Sequence, residues 1–354
     1  AAPGAGPPVP PGRDMPGGTR AAVGTKTAVV ARERNGRSAL ADAAGRGQVD
    51  AVQRLLGGGS DIDAKDEEGN TALAHAAAAG KRATFDALIA AGADRKAKNK
   101  AGSTALMLAA ERGHVDLVKA ILAGPADNEA KTPAGATALG LSVRGCHEPV
   151  VRVLLAASAR VDTLIDERVP QIVHAAASCP EGVTAALLAK GAPVDQIDEQ
   201  NRTALWHAAN RGHLETVRLL LRHGAHQQLV DAQGRTPLLR AVENGHSAIG
   251  ELLVGNGSDV TRKSLTGNTA LMLAAKSGLA SVVSVILGKG ADLDARNDGG
   301  HSALMLAAHE GHAEVVGILL KAGASKGLRN KRRETAMDLA ASAGHDTAAS
   351  LLRP

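Results

Sequence analysis

Thr71, Thr104, Thr137, Pro170, Thr203, Thr236, Thr269, Ser302 and Thr335 follow one another at steps of 33 residues, and Ser38 stands one step earlier. A period held this strictly means that the chain is built from copies of one small supersecondary unit, stacked so that neighbours bury each other's apolar faces. It overrides the two or three compact domains that 354 residues would otherwise suggest. It also explains an inventory of one Trp, one Phe and no Tyr, because thin units packed on Ala and Leu need no large aromatic centre.

The unit can be read from Thr203 onward. Its hydroxyl is placed to accept a hydrogen bond from the first turn of a helix, so Thr203 predicts an N-cap. Leu205 supplies an apolar anchor, and Ala208-Ala209 keep the surface small where a second helix must approach. Gly212 ends this first helix, since glycine tolerates the left-handed cap conformation. Leu214, Val217, Leu220 and Leu221 then form one stripe at helical spacing, and Gly224 ends the second helix. Asp231-Ala232-Gln233-Gly234-Arg235 carries turn residues, so the chain reverses as a finger before the next anchor.

The recurring Thr-Ala-Leu, Ala-Ala, Gly-His, leucine-rich second helix and Gly-Ala-Asp (Gly92-Ala93-Asp94, Gly290-Ala291-Asp292) resemble the ankyrin repeat. The resemblance implies an all-α solenoid of about ten 33-residue helix-turn-helix units with β-hairpin or loop fingers, over residues 28–354. The last unit, anchored at Thr335, serves as a truncated C-terminal cap. Residues 1–27 are expected to form a disordered Pro/Gly/Ala-rich tail, with almost nothing to bury.

The net charge of +5 is concentrated at the start, where residues 1–37 hold six basic and two acidic side chains. The array itself is near neutral and lacks stacking aromatics, which argues against a nucleic-acid partner. No apolar run approaches the ~20 residues of a membrane span. The small-residue, Pro-rich beginning at Ala1 is similar to a secreted bacterial protein after signal cleavage. An extracytoplasmic location, in the periplasm or secreted, is therefore expected, with the cytoplasm as the alternative.

Chemistry-bearing groups do not assemble into a catalytic constellation. Gly18 to Thr27 approaches a phosphate loop but fails in register, because Thr25 intervenes between Gly24 and Lys26. His114, His147, His213, His246, His312 and His345 each fall ten residues after an anchor. One repeat apart, about 10 Å, no two can share a zinc ion whose ligands lie ~2 Å away, so structural hydrogen bonds at the turns are expected. His301, His309 and His312 likewise make no expected ligand set. No metal or cofactor is expected. Cys146 and Cys179 occupy the turn-glycine position of adjacent units. Regular stacking would hold them beyond the ~7 Å that a disulfide tolerates, so two free thiols are expected.

The lapses in the pattern are local. Pro125 and Ser158 replace helix-ending Gly, Leu141-Ser142-Val143 replaces the Ala pair, and the finger Asp166-Glu167-Arg168-Val169 lacks its turn Gly. A softer or bent middle is one reading of units four and five, and ordinary divergence is the other. Four residues after the anchor, where most units carry Leu, three successive ones carry His174, His207 and Arg240. Satisfied structural side chains or a polar ladder beside Trp206 would each account for them.

The family resemblance implies a non-catalytic scaffold or adaptor, monomeric on its own, that binds another protein along its concave face. Fingertips would contribute Glu67, Glu68, Lys100, Glu167, Glu199, Gln200, Asp298, Lys331 and Arg332. First-helix ends would add Glu111, Arg112, Arg144, Asn210, Arg211, Glu243, Asn244, Lys276, His309 and Glu310, with Trp206 beside them. The alternative is a small-molecule or metal-responsive binding protein using His174, His207, Arg240 and Trp206.

Overall fold

The anchors are helix caps. In the computed structural model, which describes residues 37–165 and 168–353, the hydroxyl of Thr203 accepts a hydrogen bond from the Trp206 amide at 3.1 Å. The equivalent bonds form at Ser38, Thr71, Thr104, Thr137, Thr236, Thr269, Ser302 and Thr335. Each such cap is worth about 1 kcal/mol. The expected tail, residues 1–27, and residues 28–36 lie outside the described residues.

Among the described residues, twenty helices form ten pairs. First helices are short, as in Ala72–Ala78 and Ala204–Arg211, and each packs on the first helix of the next unit. Second helices, such as Arg82–Ala90 and Leu214–Arg222, form an outer layer that packs on itself and on the first helices. The core is a continuous strip between the layers. Leu73, Leu139, Leu205, Leu238 and Leu304 are buried two residues after their anchors, beside the Ala pairs and the Val217/Leu220 stripe. Most neighbouring first helices contact each other more extensively than neighbouring second helices do.

Most fingers are held by a carboxylate or amide five residues before the anchor, with the hydroxyls of Thr132 and Ser264 in its place before Thr137 and Thr269. Asp231 Oδ1 accepts from the amides of Gln233 and Arg235, both at 2.9 Å. Asp66, Asp198, Asn297 and Asn330 do the same. Adjacent fingers are laced by backbone bonds, Lys100 to Glu68, Ala232 to Gln200, Leu265 to Gln233, Asp298 to Thr266 and Lys331 to Gly299. Pro133 occupies the corresponding donor position in unit four and has no N–H to give. Most fingers are therefore hydrogen-bonded turns rather than strands. The paired strands among the described residues are β1 (Leu164–Ile165) and β2 (Val169–Pro170), which pair antiparallel where Pro170 cannot cap its helix through a side chain.

Candidate partner-binding face

The turn between the two helices of a unit is where one unit grips the previous one. A ring nitrogen of His114 donates to the Ala78 carbonyl at 3.0 Å, His147 to Glu111 at 2.9 Å, His213 to Ala176 at 3.0 Å, His246 to Asn210 at 3.1 Å and His312 to Lys276 at 2.9 Å. These histidines are structural bridges, as their spacing predicts. The rings of His114, His147, His246, His312 and His345 also lie against the turn glycine of the preceding unit, so that a Cβ on Gly80, Gly113, Gly212, Gly278 or Gly311 would stand 2.5 to 2.8 Å from the ring.

The joint between units four and five departs from this rule, and there the expectation of two free thiols is wrong. Cys146 and Cys179 form a disulfide, with Cα atoms 5.2 Å apart. The regular-stacking estimate failed because Cys179 leaves the regular geometry of the turn. Cys146 adopts the left-handed conformation of the glycine it replaces, at φ 55°. The first helix of unit five runs on to Ser178, and Cys179 caps it in an extended conformation, at φ −106° and ψ 161°, which carries it toward unit four. Pro180 stands where most other units have His, so no imidazole ring obstructs the Cys146 side chain. His174 lies beside the pair, with a ring nitrogen and the two sulfurs all within 4.8 Å of one another.

The polar side chains on the apolar stripe have partners. His207 Nε2 meets Asp198 Oδ2 at 2.8 Å. Burial lowers the His207 pKa below 6.5, partly offset by Asp198, and burial of Asp198 is outweighed by the hydrogen bonds it accepts, so its pKa too is lowered. Arg240 donates to Asn210 Oδ1 at 3.0 Å and pairs with Glu243 at 2.7 Å. The sequence reading overlooked a further case, His75, whose Nε2 meets Asp66 Oδ2 at 2.7 Å. Internal alignment carries the signal, because Asp66, Asp198 and Asp231 stand five before the anchors in the units with His75, His207 and Arg240 four after them.

Most of the residues named for the face are exposed side chains. Glu67, Glu68, Lys100, Glu199, Gln200, Asp298, Lys331 and Arg332 are exposed at fingertips. Arg112, Arg144, Arg211, Glu243, Asn244, Lys276, His309 and Glu310 are exposed at first-helix ends, with Glu111 and Asn210 half-buried. Glu167 lies outside the described residues. Several are tied across units, Arg144 to Glu111 at 2.7 Å and Asn244 to Asn210 at 2.9 Å. Trp206 is a correction. It is 4% exposed, because three residues after the anchor the side chain enters the space between units, as Met107, Met272 and Met305 do. The guanidinium groups of Arg202 and Arg240 stand 5.3 and 5.2 Å from its ring centre. It supports the face from beneath. One residue missed by charge-based reasoning is Leu265, an apolar fingertip that is 72% exposed.

A family model described as ankyrin repeats (3 copies) matches residues 20–99, 75–164, 173–264, 250–330 and 271–354. The chain belongs to the ankyrin repeat family. Ankyrin repeats are generally protein–protein interaction modules and typically non-catalytic scaffolds. No curated protein matches this ankyrin array. Among its described residues, no helix is long and apolar enough to cross a membrane.

Proposed function

We propose that this ankyrin array is a non-catalytic scaffold that docks another protein on its concave face. The observation that carries the reading is a continuous row of exposed, chemically varied side chains, held in fixed register by inter-unit bonds such as Arg144–Glu111 and Asn244–Asn210. Pre-ordered side chains reduce the entropy lost on binding. A partner burying ~1,200 to 2,000 Å² would need only three or four of the ten units. Leu265 suits the role of an apolar anchor among polar neighbours.

The reading extends to location. A disulfide between units persists in an oxidising compartment, so the Cys146–Cys179 bond favours the extracytoplasmic placement over the cytoplasm. The small-molecule alternative is less well supported, because Trp206 is buried while His207 and Arg240 are held by Asp198, Asn210 and Glu243.

Photo-crosslinking residues placed at Arg211, Lys276 and Leu265 in the source cell, with one at Arg222 on an outer helix as control, test the proposal. A protein adduct from the inner positions and none from Arg222 is expected. Equal labelling from all four, or none from any, would overturn it.

A further inference from the structure

The exceptional joint holds three metal donors. Four features of units four and five converge on one point: Pro180 removes the bridging histidine, Cys146 takes the vacated side-chain space, Cys179 leans back from the end of its helix, and His174 sits five residues earlier on that helix. We propose that, once the disulfide is reduced, Cys146, Cys179 and His174 bind one zinc ion, leaving the fourth position to water.

Zinc takes sulfur at about 2.3 Å and imidazole nitrogen at about 2.0 Å, which separates tetrahedral ligand atoms by roughly 3.4 to 3.8 Å. The three donor atoms already lie within 4.8 Å of one another. With Cα atoms 5.2 Å apart, turning the two side chains about their Cα–Cβ bonds opens room for the ion without moving either helix. Charge favours the same occupant. Cys179 is 5% exposed, and two thiolates left there alone would bury net negative charge, whereas two thiolates with a divalent cation are neutral. Cys146 is half-buried and gives the ion and its water a route in.

The oxidised and metal-bound forms exclude one another. A dithiol reductant transfers two electrons and two protons to the Cys146–Cys179 bond and becomes a disulfide itself, leaving two thiols here. Zinc binding then expels those two protons as both sulfurs ligate as thiolates. In an oxidising compartment the disulfide form prevails until a reductant acts.

The full chain, reduced with a phosphine and freed of metal, would be titrated anaerobically with Co²⁺ as the spectroscopic substitute for zinc. One Co²⁺ per chain is expected, with a thiolate-to-cobalt charge-transfer band, displacement by Zn²⁺ and protection of both thiols from alkylation. The unreduced chain and the Cys146→Ser/Cys179→Ser variant should show no band. His174→Gln should weaken uptake at least tenfold, the scale on which even outer partners of a metal site act. No charge-transfer band in the reduced wild-type chain, or affinity unchanged in a folded His174→Gln, would overturn the assignment. Alkylation protection of the wild-type chain decides the matter if a variant fails to fold. The assay reads metal uptake by the chain alone, so its failure leaves the partner-binding proposal standing.

Discussion

Replacing Gly212 by Ala tests the idea that this turn glycine is dictated by the next unit's histidine. Gly212 has φ 80°, and a Cβ at this position would lie 2.8 Å from His246 Cε1. Two costs add. An alanine in the left-handed region costs about 1 to 2 kcal/mol. Displacing the ring also breaks its 3.1 Å bond to the Asn210 carbonyl, worth about 1 kcal/mol net. That carbonyl keeps a second donor in Asn244 Nδ2 at 2.9 Å, so no larger desolvation penalty follows. Gly212→Ala should therefore lower stability by about 2 to 3 kcal/mol. In a His246→Ala background the same change should cost only the backbone part, about 1 to 2 kcal/mol. Gly245 is an internal control: its φ is also 80°, but a Cβ there would meet nothing within 4 Å, so Gly245→Ala should incur the backbone cost alone. Urea denaturation at unchanged m-value measures all four variants. Coupling between Gly212→Ala and His246→Ala below about 0.5 kcal/mol, the scatter expected of independent sites, would refute the reasoning.

Thiol titration of the denatured, unreduced chain should find no reactive thiol. Closing a loop with sequence separation 33 restricts the unfolded chain by about 4 kcal/mol, so Cys146→Ser/Cys179→Ser should lose stability on that scale, with hydrogen exchange rising first in units four and five. Undiminished stability in that variant would sink the claim. Stability should fall on acidification in two windows. His207 has its folded pKa below 6.5, so the unfolded chain binds protons first as pH drops through that value, and Asp198 repeats the effect below 3.8. His207→Gln should flatten the upper window, and a pH profile identical to wild type would count against it.

The helices, their caps and their order were legible because each depends on residues close in sequence: Thr203 reaches only to Trp206, and Gly224 needs only its own φ of 81°. The exposed fingertips and first-helix ends were legible because a fixed period places equivalent residues at equivalent points of each unit. His75 went unnoticed because its partner Asp66 is in the preceding finger, and pairing shows only when units are aligned against one another. Trp206 was misplaced because exposure at that position depends on the neighbouring unit.

The sequence by itself determined a row of ten helix pairs, since a 33-residue period repeats the same apolar stripe and, in every unit but the one anchored at Pro170, the same local cap. Tertiary structure alone decided what happens between units. Whether Cys146 meets Cys179 depended on an extended cap at Cys179 and the missing ring at Pro180. Departures of that size in backbone direction move side chains by several ångströms, and a period counted in residues does not record them.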